Sequence, residues 1–304
     1  MKARVTHVQC KTLIWLGLLL VSPGARLAAQ DLSTSETPNL DFGHLGNPLL
    51  SGLADADTIG TQPASLGNSP LSYAPARPQE GTTDHFHWGP ALGETLFFTS
   101  FMHGKRLLFD PDTAPELRGP LFKDYFRSVA GLHGWDDHDP FQVQYIGHSF
   151  HGAVDERIEF QNNPQAWDLG WGAPGYWHSR LIGAAWATLW GAQFKIGPYS
   201  EAMIGNVGLP NKYRHRPIPP GANYGLMAWS EFVVNPVGGT AWVVTEDLLD
   251  RYVAERMEGH VNRRFMCFTR TFLTPSRSWA NLLRFKKPWY RENRDIYGRP
   301  VNSH

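Results

Sequence analysis

The sequence predicts an all-α protein, a single compact bundle of roughly six to eight helices preceded by a disordered arm. Three observations support this fold class. Beyond residue 89 most apolar residues recur with the helical period, and the alternation typical of strands is scarce. Prolines and glycines fall where those helices would start and stop. Gly183, Ala187 and Gly191 lie four residues apart, a seam of small residues that lets helices pack closely.

The composition describes an ordinary globular chain with an unusual aromatic content. Its 304 residues are 42% hydrophobic and 18% charged, and the formal net charge is zero. That is enough apolar material for one sizeable core. The 12 tryptophans favour positions that are apolar at one end and hydrated at the other, either in a core or at an interface.

The N-terminus predicts export. Two basic residues precede an apolar run at 12–21, and small residues suited to cleavage follow at 28–30. This is the pattern of a secretory signal peptide, predicted over 1–30, and its apolar run is too short to span a bilayer. Cleavage would remove Cys10 and leave Cys267 alone, so no intramolecular disulfide is expected.

Three further regions follow the signal peptide. Residues 31–88 are rich in Ser, Thr, Pro and Gly without a sustained period, which predicts a flexible linker or arm. Residues 89–290 form the predicted helical domain, and 291–304 a C-terminal tail.

The first helices of the domain are predicted at 91–109 and 121–130. A third, central helix is predicted to start with Asp139 as N-cap and Pro140 at the first helical position, which needs no N–H. It is expected to stop at Asn162-Asn163-Pro164, where the proline cannot continue it.

The helix predicted at 175–195 carries no charge between Arg180 and Lys195, and its apolar residues surround it. Such a helix is buried in protein or in lipid. Its uncharged part, about 14 residues, favours a core helix over a membrane span.

The next apolar stretch is interrupted at Pro236, which predicts two helices meeting there. The second is predicted to be amphipathic, with Leu248 and Tyr252 on its apolar face and acidic residues such as Asp247 and Asp250 opposite. Helices at 261–272 and 276–285 complete the domain.

The central helix carries the candidate chemistry. His148, His151, Asp155 and Glu159 fall within about 80° of one another around its axis. Two imidazoles and two carboxylates on one face are a plausible start to a metal site. The same stripe is also typical of a solvated face, or of a structural histidine pair.

An enzymatic interpretation therefore stays open as an alternative. In it, His148 and His151 bind a divalent metal, and Asp155 or Glu201 is a third ligand or the general base of a hydrolase. The spacing does not reproduce the His-Glu-x-x-His pattern of metalloproteases. Further ligands could come from the acidic segment at 136–138.

The C-terminal part is basic and aromatic. From residue 259 onward there are ten basic and two acidic side chains. This composition suits an anionic membrane surface or an envelope protein as partner, and nucleic acid is excluded because an exported protein rarely meets it. A solvated, self-packed tail is the alternative. The predicted surface comprises Arg277, Trp279, Arg284, Lys286, Lys287, Trp289 and Tyr290.

The His-Ser-Phe-His-Gly segment at 148–152 resembles an uncharacterised family of exported bacterial envelope proteins. The segments at 176–179, 200–201 and 235–239 and the basic region near 275–277 are similar to that family as well. The resemblance covers roughly residues 90 to 290. It implies an exported helical protein and carries no activity.

Together these observations predict a non-catalytic, membrane-associated helical protein in the periplasm or on the periplasmic face of the outer membrane. The alternatives are the metal-dependent hydrolase of envelope lipid or glycan, and a scaffold for an outer-membrane partner.

Overall fold

The computed structural model describes residues 85–109, 113, 117, 120–135, 139, 141–167, 169–204 and 227–301. Across these residues the fold is all-α, as the sequence predicts, and extended pairing is limited to isolated bridges. The predicted signal peptide and nearly all of the predicted arm lie outside the described residues.

The helices follow the predicted order. They are α1 (Trp88–Phe109), α2 (Leu121–Ala130), α3 (His148–Asn162), α4 (Tyr176–Ile196), α5 (Glu201–Ile204), α6 (Ser230–Val233), α7 (Gly239–Leu249), α8 (Glu255–Met257), α9 (Arg263–Leu273) and α10 (Pro275–Leu283). Wider π-helical turns adjoin several of them: Gln142–Gly147 leads into α3, Val234–Gly238 joins α6 to α7, and Asp250–Ala254 joins α7 to α8.

Helix α3 is the centre of the bundle. It packs against α1, α4, α7, α10 and the π turn Val234–Gly238. Every residue of α3 except Ser149 and Gln161 is buried. The apolar stripe of Phe150, Val154 and Ile158 forms a core with residues of α1 and α10.

The predicted seam of small residues brings α4 against its neighbours. A Cβ atom on Gly183 would stand 2.4 Å from the ring of Phe160, and one on Gly191 would stand 2.8 Å from the side-chain amide of Asn235. Ala187, between them, is fully buried. The seam therefore holds α4 close to α3 and to the turn that contains Asn235, which confirms the close packing.

Two helices, α6 and α7, meet at the turn that contains Pro236, as predicted, but no break separates them. Backbone at both ends of the π turn is α-helical, so α6, the turn and α7 form one continuous run. Pro236 lies buried inside that turn. A π turn loosens the regular ladder of hydrogen bonds, so a proline that lacks an N–H is accommodated without ending the helix.

The assignment of faces to the run that begins with α7 was wrong. Glu246, Asp247 and Asp250 are buried, whereas Tyr252 and Val253 are exposed. The acidic face points into the protein because arginines from other helices meet it there. Helical periodicity identifies two faces of a helix but not which of them is inside.

Candidate functional site

The polar stripe of α3 lies in the interior of the protein. His148, His151, Asp155 and Glu159 are all buried, so the interpretation of a solvated helix face is excluded. Because α3 is surrounded by other helices, its polar side chains must find partners on them or remain unpaired. The central polar cluster and its partners are therefore the candidate functional site.

His151 and Asp155 form a contact along α3. The His151 Nε2 atom lies 3.6 Å from Asp155 Oδ2. Burial, with a smaller contribution from the charge of His148, lowers the pKa of His151 to about 3. Burial, reinforced by Glu156, raises the pKa of Asp155 well above its usual value. The imidazole of His151 is therefore uncharged at neutral pH, and the neighbouring carboxyl group of Asp155 holds its proton more tightly than an exposed aspartate does.

His148 instead faces a chain of alternating charges contributed by other helices. Its Nε2 lies 3.6 Å from Glu231 Oε1. Lys195 forms ion pairs with Glu231 and, at 3.2 Å, with Glu201. The opposite oxygen of Glu201 accepts a hydrogen bond of 2.6 Å from Arg106. This charge chain links α3, α6, α4, α5 and α1.

The charge chain determines the ionisation of Glu201. Burial alone would raise the pKa of this carboxyl group, but the charges of Lys195 and Arg106 outweigh burial and lower it to about 2. Glu201 is thus a carboxylate whose oxygens are engaged by cations. That arrangement suits an ion-pair partner better than a general base, which needs a lone pair free for a proton.

A third histidine, absent from the sequence-based candidates, borders the same cluster. The ring of His103 stacks on the ring of Phe194, with 4.6 Å between their centroids. The ring of His151 meets the same Phe194 ring in a T-shaped contact, also with 4.6 Å between centroids. The Nε2 atom of His103 lies 3.3 Å from the backbone oxygen of Tyr199. Burial lowers the pKa of His103. Thr95, Thr99 and His103 recur every four residues and so share one face of α1. This polar stripe was the signal in the sequence that could have identified His103.

The described geometry does not assemble the predicted metal site. Among the described residues, no group of three or more His, Cys, Asp or Glu side chains is placed to hold a metal ion. Asp155 contacts His151, whereas Glu201 is bound by Lys195 and Arg106. The acidic segment at 136–138, proposed as a further source of ligands, lies outside the described residues.

A second buried polar cluster, which we call the arginine network, was not anticipated from the sequence. Asp247 pairs at 2.9 Å with each of Arg157, Arg180 and Arg277. Asp250 pairs with Arg291 at 3.0 Å and with Arg294 at 2.7 Å. Cations outweigh burial and hold the pKa of Asp247 near 2. The network joins α3, α4, α7, the following π turn, α10 and the segment after it.

The basic C-terminal residues divide into two groups. Arg277 belongs to the arginine network, and Arg284 pairs with Glu292, so their charges are used inside the fold. Trp279 packs on Phe101, Tyr290 lies under Arg284, and Trp289 is half-buried. Lys286 and Lys287 are exposed. Of the predicted surface, these two lysines are the cations turned outward.

Several helices turn apolar side chains outward and polar ones inward. On α2, Phe122 and Phe126 are 69% and 68% exposed, whereas Asp124 and Ser128 are buried. The same inversion recurs on other helices. Exposed apolar residues include Leu96, Phe97 and Phe101 on α1, Trp177, Leu181 and Leu189 on α4, and Phe265, Phe268 and Phe272 on α9. No helix among the described residues is long and apolar enough to cross a membrane.

Comparison with known proteins adds no relative: no family model, curated protein or solved structure matches this chain. The resemblance to exported envelope proteins therefore stays a prediction.

Proposed function

We propose that this chain is an exported, non-catalytic helical protein of the cell envelope that associates with membranes through its apolar outer faces. The observation that carries the proposal is the inversion of polarity on several helices, where carboxylates, arginines and histidines are buried and large apolar side chains, many of them phenylalanines, are exposed. A water-soluble monomer rarely exposes a large apolar surface, and such surfaces mark sites of contact with lipid or protein. Burying one exposed phenylalanine stabilises a complex by about 1.5–3 kcal/mol.

Two basic and aromatic segments favour lipid as the partner. At the start of α9, the exposed Arg263 and Arg264 precede Phe265. After α10, Phe285 precedes the exposed Lys286 and Lys287. Aromatic side chains that enter the interface beside cations that meet anionic headgroups are typical of membrane-surface anchors.

The conformation of Phe285 is the most specific support for such an anchor. The N–H of Phe285 donates to the oxygen of Leu282 and the N–H of Lys286 to that of Asn281, which is the hydrogen-bond pattern of a Schellman cap. Glycine usually occupies this position because φ is positive, and Phe285 has φ of 59°. Its side chain is 91% exposed. The fold thus holds an aromatic ring outward in a backbone conformation that glycine would adopt more easily.

Flotation with vesicles of anionic phospholipid tests the proposal. Phe285→Gly should reduce the vesicle partition constant on the order of tenfold, because it removes the apolar contact. The same change should leave the free energy of unfolding unchanged or raise it by up to about 1 kcal/mol, since glycine accepts the positive φ. Loss of lipid binding without loss of stability separates an anchor from a structural residue.

Phe285→Tyr is the matched control and should float like the parent protein, because it keeps an aromatic ring in the same conformation. Lys286→Ala combined with Lys287→Ala should weaken binding to anionic vesicles and leave binding to neutral vesicles unaffected. A parent protein that does not float, or a Phe285→Gly variant that floats as well as the parent, would refute the proposal.

A further inference from the structure

Exposed tryptophans lie around the end of α3. Trp88, Trp167 and Trp177 are each more than half exposed. Trp88 follows His87, whose N–H donates to the backbone oxygen of Asn162, the last residue of α3, at 2.9 Å. Trp167 lies in the turn that follows α3, and Trp177 lies in the first turn of α4. We call this part of the bundle the tryptophan end.

Trp177 belongs to the tryptophan end because the start of α4 packs on the end of α3. A Cβ atom on Gly183, further along α4, would stand 2.4 Å from the ring of Phe160. Trp177 also meets Trp171 of the intervening loop, with 5.8 Å between ring centroids. The exposed Leu181, one turn after Trp177, extends this apolar surface along the same face of α4.

The anchor at Phe285 reaches the same end of the bundle. The side-chain amide of Gln161, which precedes the last residue of α3, donates to the side-chain oxygen of Asn281 at 3.5 Å. The amide of Asn281 in turn donates to the backbone oxygen of Pro288 at 2.9 Å. Asn281 thus ties the exposed segment at 285–287 to the end of α3.

The opposite end of the bundle also exposes aromatic rings. Trp135 and Trp229 are each just over half exposed. The indole N–H of Trp135 donates to the hydroxyl group of Tyr145 at 3.4 Å, and the backbone N–H of Trp229 donates to the oxygen of Gly134 at 3.1 Å. The helical run from Tyr145 to Asn162 separates the two ends by about 25 Å. The aromatic rings alone therefore do not distinguish the ends.

Charge distinguishes the two ends. The exposed Lys286 and Lys287 place two cations at the tryptophan end, where an anionic membrane surface attracts them. At the opposite end, Asp136 and Asp137 follow Trp135 in the sequence, and such a surface repels carboxylates. Anionic lipid thus favours the tryptophan end.

We infer that the protein docks on an anionic phospholipid surface with its tryptophan end, where Trp88, Trp167 and Trp177 enter the headgroup region beside Phe285. The inference rests on the proposed membrane association and adds which end of the bundle makes the contact. Indole rings favour the membrane interface because it accommodates both their apolar body and their polar N–H group. The adjacent lysines supply the attraction to anionic headgroups.

A pair of charge additions locates the docking end by flotation of the full chain with vesicles of phosphatidylcholine and phosphatidylglycerol. Gln165, beside Trp167, and Gln142, at the start of the π turn before α3, are both exposed and offer matched positions. Gln165→Lys should tighten binding about fivefold, the equivalent of about 1 kcal/mol for one cation near an anionic surface. Gln142→Lys should change binding less than about twofold, since the opposite end lies beyond the Debye length of about 8 Å. Vesicles of phosphatidylcholine alone should not distinguish the two variants.

Paired removals of tryptophan test the aromatic contribution. Trp167→Ala combined with Trp177→Ala should lower the vesicle partition constant at least about tenfold, because two interfacial rings are lost. Trp135→Ala combined with Trp229→Ala is the matched control and should stay within about threefold of the parent. Chemical denaturation of both double variants ensures that folded proteins are compared.

The outcomes separate the docking end from the proposed function. A parent protein that does not float refutes membrane association and the docking end with it. If the parent floats but Gln142→Lys binds as tightly as Gln165→Lys, or more tightly, membrane association stands and the tryptophan end is the wrong surface. Equal losses in the two pairs of tryptophan variants would overturn the choice of end as well.

Discussion

The backbone carbonyl of Asn235 lies against Gly152, so that a Cβ atom on residue 152 would stand 1.9 Å from the carbonyl oxygen. A Cβ on Gly239 would likewise stand 2.7 Å from the backbone of Gly152. The central helix and the π turn that follows α6 therefore meet backbone to backbone. This contact brings the charges of α3 within reach of those on α6 and α7.

Gly152→Ala should lower the free energy of unfolding by about 3 kcal/mol, because the added methyl group forces two rigid backbones apart. Chemical denaturation measures the change. Gly93→Ala is the control: nothing lies within 4 Å of a Cβ at this position of α1, so the substitution should stabilise by about 0.5–1 kcal/mol. Equal effects of the two substitutions would contradict the close contact.

Asp247→Asn should be strongly destabilising, by about 3–5 kcal/mol, because it leaves the buried Arg157 and Arg180 and the partly exposed Arg277 without their shared charge. The comparison is Arg251→Gln, which breaks the partly exposed pair between Arg251 and Glu255 and leaves the arginine network untouched. That change should stay within about 1 kcal/mol. Denaturant midpoints of the two variants distinguish these outcomes, and a mild Asp247→Asn would argue against the arginine network.

The free energy of unfolding should fall as the pH rises from 4.5 to about 8, because in this range Glu156 is protonated in the folded protein but not in the unfolded chain. Burial raises the pKa of this carboxyl group from 4.5 to about 8, against the opposing hydrogen bond from Thr240 and the charge of Arg157. The folded protein thus retains a proton that the unfolded chain releases. The contribution of Glu156 is fully present below pH 4.5 and is lost as the pH rises to about 8.

Glu156→Gln imitates the protonated side chain and should remove this contribution. His151 acts in the opposite sense, since its pKa is lowered from 6.5 to about 3, so its stabilisation is lost as the pH falls through that range. The difference between the stability curves of the parent and Glu156→Gln isolates the glutamate. A difference that does not vary between pH 5 and 8 would show that Glu156 ionises normally.

Phe268→Gln should leave the free energy of unfolding within about 0.5 kcal/mol of the parent, because this side chain of α9 is largely exposed. It should also reduce vesicle binding. Met266→Gln, two residues earlier and buried, should cost about 2–4 kcal/mol. Denaturation and vesicle flotation measure the two effects, and a destabilising Phe268→Gln would mean that the apolar face of α9 packs inward.

Much of the helical architecture could be predicted from local signals. Helix α2 begins and ends at the predicted residues, and α4 differs from its prediction by one residue at each end. The buried apolar stripe of α3 and the seam at Gly183 were also recognisable. These features depend on neighbours within a few turns of the same helix, which periodicity and helix-stop residues report.

The candidate site was only partly predictable. The polar stripe of α3 was identified, and His151 does contact Asp155. The chain of charges that reaches Glu201 passes through Lys195 and Glu231, 36 residues apart, and no local spacing connects them. His103 and the arginine network were missed for the same reason, because their partners come from other helices.

The sequence by itself determines that helices form, where they end, and that many of them have a polar and an apolar face. The orientation of those faces depends on contacts between distant parts of the chain. Asp247 can be buried because Arg180, 67 residues away, and Arg277, 30 residues away, supply opposite charges beside it. Burying a charged side chain is unfavourable unless an opposite charge lies beside it. Only the tertiary structure brings these partners together, because they come from different helices.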